Sequence, residues 1–417
     1  DAISPDTGML KGELLADVPD AAETLDRTPL TFYPRATKHN LRLVLAVAAV
    51  FVVVVNMYRT PARIKRLLGA VALIGGAVGL LALAQHVAGN GKIYWFVPAY
   101  DQARSGPFIN HSHFGQFMNL SIGAALALLL VLLCEAFSHR RVTPADLVEY
   151  INSSEATFVK ILIAMIVVCA AAVFLSLTRG GMVSMLIAAV FTTVVLSSGR
   201  SLRSRSWIIV LVALGAFVCV LWTGFEQVYN RMATLDDVTQ YHGRYQIVEQ
   251  TIGAWKRFPA LGTGLGTYEV VYPMFDRGAT ASLATHAENE YVQALAETGI
   301  VGLGALVAFG VVVWISYARS VRVGSSPIRS AAYGLGFGLA AILIHSLSDF
   351  GQHLPANAML SAVSCALLVA LNHPRPQISA QPVGAGTRRW MPAMPQLVLL
   401  VVAVGGFAWA LLGANAA

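Results

Sequence analysis

The sequence predicts an all-α integral membrane protein with about ten spanning helices, and three observations predict it. Apolar residues make up 56% of the 417 and charged residues only 12%, with a mean hydropathy of +0.63, more apolar surface than a soluble domain can hide. Apolar runs long enough to cross a bilayer, about 17 to 25 residues for roughly 30 Å of hydrocarbon, recur along the chain. These runs are rich in Leu, Val, Ala and Gly without period-two alternation, so helices and not a β-barrel satisfy the backbone in lipid.

The expected spans are 41–58, 64–88, 114–137, 158–177, 181–197, 207–223, 299–317, 331–347, 355–371 and 396–412. The stretch GPFINHSHFGQF (106–117) leads into the third, and SLTRGGMVS (176–184) joins the fourth and fifth with almost no loop. Pro355 opens the ninth, a position where its missing N–H costs nothing. The chain divides into an external polar segment (1–40), six spans (41–223), a large external loop with short helices (224–298) and four further spans (299–417). It opens on Asp1 with a polar, acidic stretch instead of a Met and signal peptide, as an internal starting point with further helices upstream would give.

Basic residues sort by connection. Arg59, Arg63, Lys65 and Arg66; Arg140, Arg141 and Lys160; Arg200, Arg203 and Arg205; Arg319, Arg322 and Arg329; and Arg375, Arg388 and Arg389 fall in alternate short loops. The positive-inside rule makes those loops cytoplasmic. The net charge of +7 therefore reflects topology, and no basic, aromatic-interleaved patch points to nucleic acid. Cys134, Cys169, Cys219 and Cys365 lie inside apolar runs without CxxC or Cys/His spacing; they read as small core hydrophobes and support neither a disulfide framework nor a zinc site.

The unusual polar residues then share the external side: Asn110, His111, His113, Arg179, Arg244, His286, Glu288, Asn289, Asp349 and His353. Arg179 sits where Gly180 and Gly181 let the chain turn; it reads either as an interfacial arginine with its head in water or as a grip for phosphate. Arg244 opens an expected amphipathic helix, 243–262, with Val248, Ile252 and Trp255 on one face and a stop at Pro259. A cation there opposes the helix dipole unless an anion is nearby.

GTGLGT (262–267) is not GxGxxG and reads as a turn-rich loop. His111 and His113 are too few for a metal. In THAENEYVQALAETGIVGL (285–303), Thr285 and Glu288 have capping-box spacing, while His286, beside the positive end of a helix, is kept neutral and available as a base.

Four of these stretches together resemble the O-antigen ligase and O-antigen polymerase superfamily, which includes protein O-oligosaccharyltransferases. Asn289, Gly299 and Gly302 match its Asn-x9-Gly-x-x-Gly pattern, TRGG (178–181) its Ser-Arg-Gly hairpin, FINHSHF (108–114) its Phe-x-Asn-x-Asn-His-Phe segment and DFGQHLPANA (349–358) its Asp-Phe to Pro-Ala-Asn-Ala segment. The similarity runs from about residue 30 to about 375. Two positions depart from the pattern: Glu288 stands where the family commonly has histidine, and Ser112 replaces an asparagine.

The resemblance implies a GT-C-like multi-helix enzyme of the inner membrane, without metal, nucleotide or other cofactor. It would move a glycan from undecaprenyl diphosphate to an acceptor hydroxyl, lipid A-core or another glycan, at the periplasmic face. Arg179 and Arg244 would hold the diphosphate, and His286 or Glu288 would take the acceptor's proton in an inverting displacement. Asn110, His113, Asn289, Asp349 and His353 would orient sugar or acceptor. A single large loop favours a ligase over a polymerase. A polyprenyl-sugar transporter is the alternative of another class, but its midplane polar groups and repeated halves are not evident.

Overall fold

The computed structural model describes residues 5–17, 29–98, 105–137, 144–198, 238–277 and 284–372. Its helices are α1 (Pro5–Leu14), α2 (Pro34–Met57), α3 (Pro61–Ala88), α4 (His111–Ala136), α5 (Pro144–Asn152), α6 (Thr157–Leu175), α7 (Arg179–Ser198), α8 (Val238–Arg257), α9 (Tyr268–Val271), α10 (Glu290–Val323), α11 (Ser326–His345) and α12 (Pro355–Leu371). Short 3-10 turns occupy Tyr272–Met274 and Gly351–His353. Among the described residues the one sheet is a hairpin of two short antiparallel strands, β1 (Lys92–Ile93) and β2 (Val97–Pro98).

Seven helices, α2, α3, α4, α6, α7, α10 and α11, are long and apolar enough to span a bilayer, and α12 is a shorter apolar helix. Eight expected spans coincide with these; 207–223 and 396–412 lie outside the described residues. Proline in the first turn of α2, α3, α11 and α12 sets four of the starts, its fixed φ being ready for the helix.

The core is built around α4, whose residues Phe114 to Val131 are almost all buried. It packs on α3, α6, α7, α11 and α12, which explains why its sequence is apolar all round. Its closest partner is α11, and small residues allow the approach. A Cβ on Gly123 would lie 2.8 Å from the Gly338 backbone, and one on Gly334 would lie 2.1 Å from the Ala127 nitrogen. Backbones that meet this closely gain van der Waals contact that lipid cannot supply. The seam brings the first turn of α4 beside the last turn of α11.

α10 is not one helix. Gly299 has φ 65 and ψ −168 in its middle, and the broken ladder is repaired by the 258–266 loop. Ile300 and Val301 N–H donate to the carbonyls of Pro259 (2.9 Å) and Ala260 (3.2 Å), while Thr263 and Gly264 N–H donate to those of Ala296 (3.0 Å) and Glu297 (2.9 Å). The loop supplies the partners that each helix half lacks at the break. A Cβ on Gly299 would lie 2.2 Å from the Ala260 oxygen, so glycine is required there for both space and dihedral. The 262–267 stretch is the turn-rich loop expected, with positive φ at Gly262, Gly264 and Gly266. The segment before α2 packs on it through Phe32, which bonds Thr263 by its N–H (3.0 Å) and meets the Phe258 ring edge-on.

Candidate active site

The start of α10 and the loop after α11 are stitched together. Asn289 is the N-cap of α10, its Oδ1 accepting from Tyr291 N (3.0 Å) and Val292 N (3.1 Å), while its Nδ2 donates to Leu347 O (2.9 Å). Glu290 N donates to Ser346 O at 3.0 Å. The capping box expected between Thr285 and Glu288 does not form, because Asn289 already serves the orphan N–H groups of the first turn. Glu288 instead adopts φ 53 and turns its carboxylate outward to Arg244, with Nη2 and Oε2 3.1 Å apart.

Arg244 also differs from expectation. α8 begins at Val238, so Arg244 lies in its second turn and not at its opening. From there it reaches both Glu288 and, through Nη1, the Ser348 carbonyl (3.3 Å).

Phe350 is the hub of an aromatic cluster. The His286 ring stacks on it with centroids 4.0 Å apart and planes 5° from parallel, and the His113 ring meets it edge-on at 4.8 Å. His353 stands edge-on to His286 at 5.3 Å. Beneath them Asp349, 1% exposed, accepts from Gln116 Nε2 (2.9 Å) and lies 3.7 Å from His113 Nε2 and 4.0 Å from His345 Nε2. The His345 ring reaches Ser112 Oγ at 3.2 Å.

On the α10 side, His353 Nδ1 pairs with Glu290 Oε1 at 3.0 Å. Gln293 Nε2 lies 3.1 Å from His353 Nε2 and donates to Glu297 Oε1 (3.2 Å). Glu297 in turn accepts from Gly266 N (2.6 Å) and Tyr268 N (3.3 Å), tying the cluster to the loop that repairs the helix break.

Burial sets the protonation pattern. It raises Asp349 to about 7, helped by the charges of Glu288 and Glu290 and opposed by the Phe350 N–H and Arg244. It lowers His286 to about 4, with His353 and His113 adding to the effect. It raises Glu288 against the pull of Arg244. Burial also lowers His353, but its bond to Glu290 and the charges of Glu290 and Glu297 outweigh that and leave it above the ordinary value. The outer rim thus holds a neutral imidazole beside the Arg244–Glu288 ion pair and a His353 whose protonated form Glu290 favours, a division that burial and neighbouring charge routinely produce.

Arg179 is the first residue of α7. The turn before it is made by Leu177, φ 57, and Thr178 caps the helix by accepting from Gly181 N (3.2 Å), so Gly180 and Gly181 are not the turn residues. They admit neighbours: a Cβ on Gly180 would lie 2.6 Å from the His345 ring and 3.1 Å from Ser348 Oγ. The α7 start therefore abuts the same 345–349 segment that Arg244 touches. Asn110 is the N-cap of α4, accepting from Ser112 N at 2.7 Å. Sequence reasoning missed Gln116, Gln293, His345 and Phe350; the i, i+3, i+7 spacing of Glu290, Gln293 and Glu297 was the available signal for one polar face.

Residues 164–307 match the family model described as O-antigen ligase. That segment, about a third of the chain, is similar to the O-antigen ligase family and supports the resemblance carried by the four motifs. The matched segment carries Arg179, Arg244, His286, Glu288 and Asn289, while His113, Asp349 and His353 lie outside it and are joined to it by the fold. No curated protein matches the chain. The match supports, in general terms, the activity of an O-antigen ligase or polymerase type glycosyltransferase, a multi-pass membrane protein with a lipid-linked glycan donor and a glycan acceptor. In this chain the Asn-x9-Gly-x-x-Gly spacing has a physical content: Asn289 caps α10 and Gly299 breaks it. Gly302 leaves room for the Thr298 side chain.

Proposed function

We propose that the protein transfers a glycan from undecaprenyl diphosphate to an acceptor hydroxyl at the periplasmic face of the inner membrane, with lipid A-core as the acceptor. The reading rests on the Arg244–Glu288 ion pair beside the stacked His286. An anion that arrives at Arg244 competes with Glu288 for the same guanidinium. The diphosphate takes Arg244 and is further held by Arg179 at the start of α7; Glu288, freed from its cation and half-buried, gains proton affinity.

The acceptor oxygen then attacks the anomeric carbon as its proton passes to Glu288, and the bond from that carbon to the diphosphate oxygen breaks. The diphosphate leaves with the bonding pair, its growing charge stabilised by the two arginines. Attack opposite the leaving group inverts the anomeric configuration. His286, neutral and fixed on Phe350, orients the acceptor hydroxyl, and His113, Asp349 and His353 with Asn110 and Asn289 shape the sugar pocket behind it. No metal, nucleotide or other cofactor takes part.

Deletion of the gene followed by glycolipid analysis tests the reading. Long polymer stranded on undecaprenyl diphosphate is the expected result; single repeat units on the final acceptor would make the enzyme a polymerase, and unchanged glycolipids would remove the proposal.

A further inference from the structure

Immediately beyond α3 the chain forms the β1–β2 hairpin, whose tip is Tyr94-Trp95-Phe96. Tyr94 and Trp95 have φ of 51 and 68, a left-handed conformation that hairpins normally fill with Asn or Gly because bulky side chains resist it. Folding alone therefore disfavours aromatic residues here. All three are exposed, Phe96 at 73%, and Ile109, just before α4, is 82% exposed.

The patch sits at a defined level. The Gln85 amide, turned with its nitrogen toward Gly106 O (3.0 Å) and its oxygen toward Tyr94 N (2.5 Å), holds the hairpin and the 105–106 turn against the last turn of α3. Below it, Leu73, Leu80 and Val87 repeat every seven residues and are all exposed, so they form one stripe along α3, a helix apolar enough to span a bilayer. The aromatic tip, held through the buried Gln85 and not through the exposed stripe, stands at the level where this spanning helix ends. Rings at that depth have one side in hydrocarbon and one in the headgroup layer, where Trp and Tyr are favoured.

We infer that the β1–β2 tip, with Ile109, is a membrane-surface wedge that inserts into the interfacial layer of the leaflet on which the site opens. Its occupant is phospholipid. Ile109 directly precedes Asn110 and the α4 turn bearing His113, so the wedge lies on the flank from which a lipid-borne donor reaches the site; that part rests on the proposed function.

The test is photo-crosslinking in nanodiscs of phosphatidylethanolamine and phosphatidylglycerol, with benzoylphenylalanine replacing Phe96 or Ile109. Phospholipid adducts at both positions are expected. Their absence, or adducts instead to an added soluble oligosaccharide, would overturn the wedge. This readout does not require turnover, so it stands or falls separately from the glycosyltransfer reading. In addition, Trp95→Ser with Phe96→Ser should raise KM for a long-chain polyprenyl donor about 10-fold and leave a short-chain, water-soluble donor unaffected; equal losses on both donors would refute a role in lipid access.

Discussion

Arg244 and Glu288 come from segments 44 positions apart in the chain and meet at 3.1 Å on the rim of the site. Among the described residues each is the other's ion-pair partner, and Arg244 is anchored further by the Ser348 carbonyl. A pair this exposed contributes little to stability, about 0–1 kcal/mol, so its removal is informative about chemistry.

Arg244→Ala should reduce transfer by about 10²–10³-fold through loss of charge stabilisation on the departing diphosphate. Glu288→Gln should lower kcat by about 10²–10⁴-fold if it receives the proton, and His286→Ala should act mainly on KM. Steady-state kinetics in nanodiscs with all three variants correctly inserted separates these roles; a Glu288→Gln enzyme with wild-type kcat would refute the proton assignment.

Asp349 keeps its proton to about pH 7 in the native protein, whereas an unfolded aspartate releases it near 4. Between these values the native state binds more protons, so the associated stability is fully present in acid and is lost as pH rises through about 7. The melting temperature in detergent should fall over that window, and Asp349→Asn should flatten the fall. An infrared carboxylic-acid band at pH 6 that vanishes in the variant would identify the group directly.

The helix break is legible in part from sequence, and it shows where reading a sequence stops. Apolar runs gave eight of the described spans because lipid imposes a length and a composition that context cannot override. Glycine at 299 matched a pattern, but its role depends on Ala260, 39 positions away, and no local propensity encodes that contact. The same holds for Glu288: its spacing from Thr285 fits a cap, yet the competing cap Asn289 and the distant Arg244 decide the outcome. Cluster members such as Gln116 and His345 sit inside apolar helices, where only packing reveals their partners.

Gly299→Ala should cost on the order of 2–4 kcal/mol, combining the left-handed φ with the clash on Ala260. Gly310→Ala, which points into open space, should be neutral. Thermal unfolding of the two variants side by side provides the measurement, and equal melting temperatures would contradict the inserted-loop geometry.

Asn289→Ala removes both cap bonds and the tie to Leu347 O and should destabilise by about 1–2 kcal/mol, with Asn289→Asp restoring the cap bonds but not the bond to Leu347. A double-mutant cycle with Glu290→Gln and His353→Asn should return a coupling of about 1 kcal/mol; zero coupling would mean that the 3.0 Å pair does not persist in the membrane.

The interrupted ladder of α10 also has a mechanical side. Its first nine residues are anchored by Ser346, Leu347 and the 258–266 loop, and the same loop grips Ile300 and Val301 beyond Gly299. A tilt imposed by a thicker or thinner membrane therefore loads a joint braced on both sides, and the strain passes into the loop that also holds Glu297.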